Sequence, residues 1–203
     1  MGEKTRTDQN GKVDQGWDHD PPAEEKIVPF GILMLSCGLL SLYFGNSETS
    51  DFWCDSLKTW WESVRSANKR IRRLVIYLDN GPKNSGVRKL FMKRLVEFAD
   101  WSGLELHLIY YPPYHSKYNP IERCWSSLQR KWNGVILKYW TIVEKCAQRM
   151  KWNDIHPTVQ WVDSTINPEP TKNEWKQINE RIVRSKSLPK YDITITPKNP
   201  RGR

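Results

Sequence analysis

The chain has 203 residues, of which 38% are apolar and 27% charged, enough to bury one good core and too polar for a fibrous or membrane-embedded protein. Thirty-two Lys and Arg against 23 Asp and Glu give a net charge of +9, which favours a polyanionic partner. Four well-separated cysteines (Cys37, Cys54, Cys124, Cys146), without C-x-x-C spacing, fit reduced thiols better than a disulfide framework or structural zinc.

Residues 1–25 are polar and aperiodic, so a loop or frayed terminus is expected there, with no secretory signal. The apolar stretch 27–44 contains Pro29, Gly31 and Gly38, which breaks it into a hairpin (27–35 and 39–44, turning at 36–38) and not a membrane span. Ser50-Asp51 is expected to cap a helix running to about Ala67, with Trp53, Leu57, Trp60, Trp61 and Val64 at helical spacing. The run 73–79 is apolar on both faces, the pattern of a central, doubly covered strand. A helix follows over 85–101, stopped by Gly103, then a strand over 104–111 stopped by Pro112-Pro113. Helices over 120–132 and 141–150 complete the series.

Strands alternating with helices imply an α/β fold with parallel neighbours in the sheet. Three segments are expected: a polar terminus (1–25), the core (26–157) and a basic C-terminal extension (158–203). Within the extension, 173–183 reads as a helix and 191–196 as a short edge strand. From Arg181 onward, seven basic residues face one acid, Asp192, which suits either a phosphate-contacting arm or a solvated tail.

Two acids stand out. Asp79 closes LVIYLDNGP (74–82), where a buried strand emerges and where α/β sheets place ligands; Asp-Asn-Gly-Pro is equally good turn chemistry. Glu122 opens the helix in YYPPYHSKYNPIERCW (110–125), either as a capping-box glutamate behind Asn119-Pro120 or as a residue facing a cleft. Together, a carboxylate at a strand end and another at a helix start can hold Mg²⁺ or Mn²⁺, with Asn80 or Asn84 as neutral auxiliaries. The loop between them offers Tyr114, His115, Lys117 and Asn119 for stacking and phosphate contacts. His19, His107 and His156 carry no assigned role.

The motifs LDNGP-x-N (78–84) and PPYHSKYNPIE (112–122), with LFMKRLVEFAD (90–100) between them, resemble the catalytic domain of DDE transposases. The resemblance is to the ISAzo-type insertion-sequence family, with mariner-like enzymes as more distant kin, and extends from about Asp18 to the LPKYDITITP segment. It implies a ribonuclease-H-like fold in which three carboxylates bind two Mg²⁺ or Mn²⁺ ions, cut transposon ends and join them to target DNA. On that pattern Asp79 is the second acid and Glu122 the third. The first acid belongs to an opening strand upstream of the hairpin, which this chain is expected to lack; Asp14, Asp18 and Asp20 lie in a polar stretch without strand character. The expectation is therefore a cytoplasmic transposase truncated at its amino terminus and poorly active alone. The alternative is a non-catalytic remnant that binds DNA, pairs with itself or with intact transposase, and dampens it.

Overall fold

A computed structural model describes residues 6–7, 13–14, 26–112, 115, 118–137 and 139–201. Inside the segment expected to be a loop, β1 (Arg6–Thr7) and β2 (Val13–Asp14) pair antiparallel; the rest of 1–25 lies outside the described residues. The hairpin forms as expected, from β3 (Val28–Met34) and β4 (Leu39–Gly45). Gly38, at φ 71°, takes the left-handed conformation that its turn requires.

Helix α1 (Ser50–Val64) starts one residue earlier than its expected cap. Thr49 is the N-cap, its Oγ1 accepting from the Phe52 N–H at 3.1 Å. Ser50 and Asp51, freed from capping, are buried and bonded to distant segments. Strand β5 (Arg73–Leu78) leads to α2 (Lys89–Ser102), which begins four residues later than its periodicity suggests. The intervening 85–88 turn is held outside the helix, because Arg184 Nη2 donates to the Gly86 carbonyl at 2.7 Å. Gly103, at φ 70°, ends α2. Strand β6 (Glu105–Tyr110), α3 (Ile121–Trp132) and α4 (Trp140–Gln148) follow in the expected order.

Beyond residue 157 the chain builds β7 (Thr158–Trp161), α5 (Lys172–Asn179), β8 (Ile182–Arg184) and β9 (Asp192–Ile195). This region is woven into the core and not appended to it. Strand β7, which has no clear pattern in the sequence, pairs parallel with β4. Strand β9 is not an edge: it lies between β6 and β8, antiparallel to both. The result is two mixed sheets, β3-β4-β7 and β5-β6-β9-β8. Strand β5, expected at a centre, is an edge strand among the described residues and pairs only with β6. Its Val75 and Tyr77 are accordingly 42% and 45% exposed.

One core gathers α1 and α2 against Leu106, Leu108, Ile193 and Ile195, with Trp61, Phe52 and Met92 fully enclosed. A second joins Leu40, Leu42 and Phe44 of β4 to Cys124 and Leu128 of α3 and to Val143 and Ala147 of α4. Each fully buried Leu, Ile, Val, Phe or Met among them contributes about 1.5–3 kcal/mol. Mixed sheets flanked by helices on this plan are an α/β fold consistent with the ribonuclease-H-like expectation. All four cysteines are free thiols, and no helix among the described residues is long and apolar enough to cross a membrane.

The basic residues near the C-terminus are largely committed to structure. Arg181 clasps Asp100 through both guanidinium nitrogens, and the Lys198 N–H donates to the same carboxylate at 2.7 Å. Arg201 Nε donates to the Ser102 carbonyl at 2.6 Å. Burial pushes the Asp100 carboxyl up, but the Arg181 and Lys198 contacts outweigh it and hold its pKa below the usual 3.8. A depressed carboxylate stabilises the fold above its unfolded pKa and loses that contribution as pH falls through the folded value. We therefore expect urea melts of the parent and Asp100→Asn to differ at neutral pH and to converge well below pH 3.8. A gap that persists unchanged into that acid range would show the pair contributes nothing through charge.

Candidate active site

Strand β5 delivers Asp79 to the rim of its sheet. Leu78, the last strand residue, is buried, and its carbonyl accepts from the Tyr111 N–H at 2.8 Å, tying the ends of β5 and β6 together. The next residues, Asn80-Gly81-Pro82, cannot continue the ladder, so the chain turns and Asp79 emerges exposed.

Its orientation is set from below. Asn84 is 1% exposed and donates from Nδ2 to Asp79 Oδ1 at 2.7 Å. The Asn84 carbonyl accepts from Tyr110 Oη at 2.9 Å, so the aspartate is anchored through Asn84 to the last residue of β6. Burial raises the Tyr110 phenol well above its ordinary pKa, so it stays a donor. Ser50 Oγ donates to the Lys83 carbonyl at 2.7 Å and accepts from Arg88 Nε at 2.9 Å, which pins the same loop to α1. Gly81 completes the arrangement: a methyl group there would stand 3.0 Å from Asn84 Oδ1 and 3.8 Å from Asp79 Oδ2.

Helix α3 brings the second acid. Its inward stripe is the expected one, with Cys124 and Leu128 buried and Ile121, Trp125 and Trp132 packed at the margin. Glu122 stands beside the stripe, half-buried. The capping-box reading fails: Pro120 is the N-cap and no side chain caps the helix. The Glu122 carboxyl is instead pushed above its ordinary pKa, first by burial and then by the charge of Asp79. The Asp79 charge therefore reaches Glu122, and both acids line one groove together with Asn119.

Among the described residues, no third Asp, Glu, His or Cys joins them in a metal-sized cluster. The donor set nevertheless suits a divalent cation. Burial and the Asp79 charge make Glu122 costly to ionise, which calls for positive charge nearby, and Asn84 Oδ1 is buried with no hydrogen-bond partner among the described residues.

The other expected site residues divide. His115 is exposed and stacks on Tyr118, with ring centroids 5.8 Å apart and planes at 27°. Asn80 is exposed beside Asp79. Tyr114 and Lys117 lie outside the described residues. A basic cluster that the sequence did not disclose unites Arg130 and Lys131 of α3 with Arg149 and Lys151 after α4 around a surface hollow. Only the packing of α3 on α4 brings these distant pairs together.

The sequence profile of the Rhodopirellula transposase DDE domain matches residues 2–197. The chain belongs to that family. DDE transposase domains act on DNA and normally use divalent metal ions, in keeping with a basic chain in which an exposed acid and a half-buried one line the same groove. No curated protein and no solved structure matches the chain.

Proposed function

We propose that this DDE transposase domain works in the cytoplasm on insertion-sequence DNA of the ISAzo type, with mariner-like enzymes as distant kin, and that Asp79 and Glu122 are two of its metal ligands. The observation that carries this reading is the meeting of a strand-end acid and a helix-start acid on one groove. Two Mg²⁺ or Mn²⁺ ions bound there would activate an attacking oxygen and stabilise the leaving one in phosphodiester exchange.

The chain's own residues then have distinct tasks. Asp79 and Glu122 supply anionic oxygens, and Asn84 fixes the direction of Asp79. Asn119 lines the groove with the acids, and transposon-end or target DNA entering there would meet it and the stacked His115–Tyr118 pair just before it in the chain, with Tyr114 and Lys117 as further contacts. The Arg130, Lys131, Arg149 and Lys151 cluster offers a phosphate track on the adjoining helices.

Two acids make an incomplete octahedral ligand set, and Mg²⁺ dehydrates reluctantly for such sites. We expect the isolated chain to nick plasmid or transposon-end DNA at close to background rates in Mg²⁺ or Mn²⁺. Vigorous cleavage, lost in Asp79→Asn and in Glu122→Gln, would show that the chain is complete as a catalyst. The basic cluster supports a second reading, a DNA-binding regulator that assembles with intact transposase. Salt-sensitive DNA affinity without metal-dependent turnover favours it; absence of such affinity removes it.

A further inference from the structure

The turn joining α1 to β5 carries a concentration of charge that the acid groove does not use. Residues 62–73, ESVRSANKRIRR, hold five basic residues against one acid, Glu62, so this short segment supplies four of the chain's nine net positive charges. Arg65, Lys69, Arg70, Arg72 and Arg73 are all exposed. Arg73 pairs with Glu105 across the start of β6. Among the described residues no acid pairs with the other four.

The backbone holds these cations in place. The Arg65 N–H donates to the Trp61 carbonyl at 2.9 Å, and the Ile71 N–H to the Asn68 carbonyl at 3.2 Å. Asn68 Nδ2 donates to the Val64 carbonyl at 2.8 Å, and Arg72 Nη1 to the Lys69 carbonyl at 3.0 Å. Cations crowded together repel one another and cost stability. A helix dipole would offset that for a cation in the last turn of α1, but that turn holds none and the charges lie beyond it. Their arrangement is the complement of a polyanion. The segment contains no Trp, Tyr or Phe, so it offers no stacking surface for unpaired bases. Val64 and Ile71 pack against the core and are not presented to a bilayer. What remains is a surface for the phosphates of duplex DNA.

We propose that the 65–72 turn is a further DNA-backbone site, which holds duplex phosphates without reading sequence and stands at the far end of β5 from the acids. Strand β5 begins at Arg73 and ends at Leu78, next to Asp79. Its six residues set the turn roughly 20 Å from the acid pair. That span is about six base pairs, so a duplex lying along β5 meets the turn and the acids with different phosphates. The choice of DNA among polyanions rests on the DNA reading above. The metal reading does not enter, since binding here is scored without metal.

The test uses the full chain and short fluorescein-labelled duplexes of two unrelated sequences, titrated by anisotropy over a KCl series without metal. Lys69→Ala/Arg70→Ala should weaken binding by about tenfold and lower the slope of log K against log[KCl] by about 2, alike for both sequences. Its Tm should not fall, because relieving repulsion cannot destabilise the fold. Lys172→Ala/Lys176→Ala, which removes the same charge from exposed positions of α5, should change the slope less than half as much. Four outcomes overturn the proposal. They are an unchanged slope in the turn variant, equal losses in both double variants (net charge alone), loss of affinity together with a lower Tm (a structural turn), and turn-dependent binding to phosphatidylserine vesicles with none to duplex. A parent chain without salt-sensitive duplex affinity would remove the DNA reading as well, whereas the first two outcomes leave that reading standing.

Discussion

Arg94→Ala should lower the unfolding free energy by about 3–5 kcal/mol, the cost of stripping one partner from a buried charge cluster. Arg94 is only 17% exposed and stands between three acids. Its Nε lies 3.1 Å from Asp51 Oδ1, its Nη1 donates to Glu97 at 2.8 Å, and its Nη2 bonds Asp55. Asp51 is 4% exposed and also accepts from the Asn167 N–H and from its side-chain amide, at 3.1 and 2.8 Å. Asp55 accepts from the Thr165 N–H at 3.2 Å. The guanidinium therefore joins α1 to α2 and neutralises the acids that hold the 165–167 segment. Without it, the buried Asp51 and the partly buried Asp55 are left without their guanidinium partner. Chemical denaturation measures the loss, and adding Asp55→Asn to Arg94→Ala should recover part of it by removing one stranded charge. A loss below about 1 kcal/mol would mean the cluster is hydrated and dispensable.

That cluster also marks the limit of what the sequence discloses. The hairpin, α1, α2 and α3 are legible because their apolar residues keep the right period and because Gly38, Gly103 and Pro120 punctuate them. Asp51 reads locally as a helix cap, since its partners Arg94 and Asn167 lie 43 and 116 residues away; only the closed fold brings them near. Strand β7 is four residues of mixed polarity whose place is decided by β4, already formed far upstream. Asp79 and Glu122 are legible as types at element ends and Asn84 as an auxiliary amide beside them, whereas its burial and its hydrogen bond to Asp79 come only with the closed fold. The twice-apolar pattern of β5 points to a sheet interior, and the structure shows an edge bordering a groove.

The pair at the groove yields a sign reversal that a structural role would not produce. Burial and then the Asp79 charge hold the Glu122 pKa above 4.5, so ionising Glu122 costs fold stability. That cost is absent well below pH 4.5, enters as pH rises through 4.5 to the folded value, and persists above it. Glu122→Gln should consequently melt higher than the parent at pH 7 without metal and match it in acid. Asp79→Asn should give a smaller gain, since it removes only the second of the two causes. On the proposed metal role, Mn²⁺ should reverse the order: the parent should gain stability from binding, while either substitution should weaken Mn²⁺ affinity by about a hundredfold. Asn84→Ala, which frees Asp79 without removing it, should cost about tenfold. Melting curves with and without Mn²⁺ read all of this without any turnover. Equal Mn²⁺ stabilisation of parent and Glu122→Gln would place the cation elsewhere, and a Glu122→Gln variant less stable than the parent at pH 7 would make this acid a structural one.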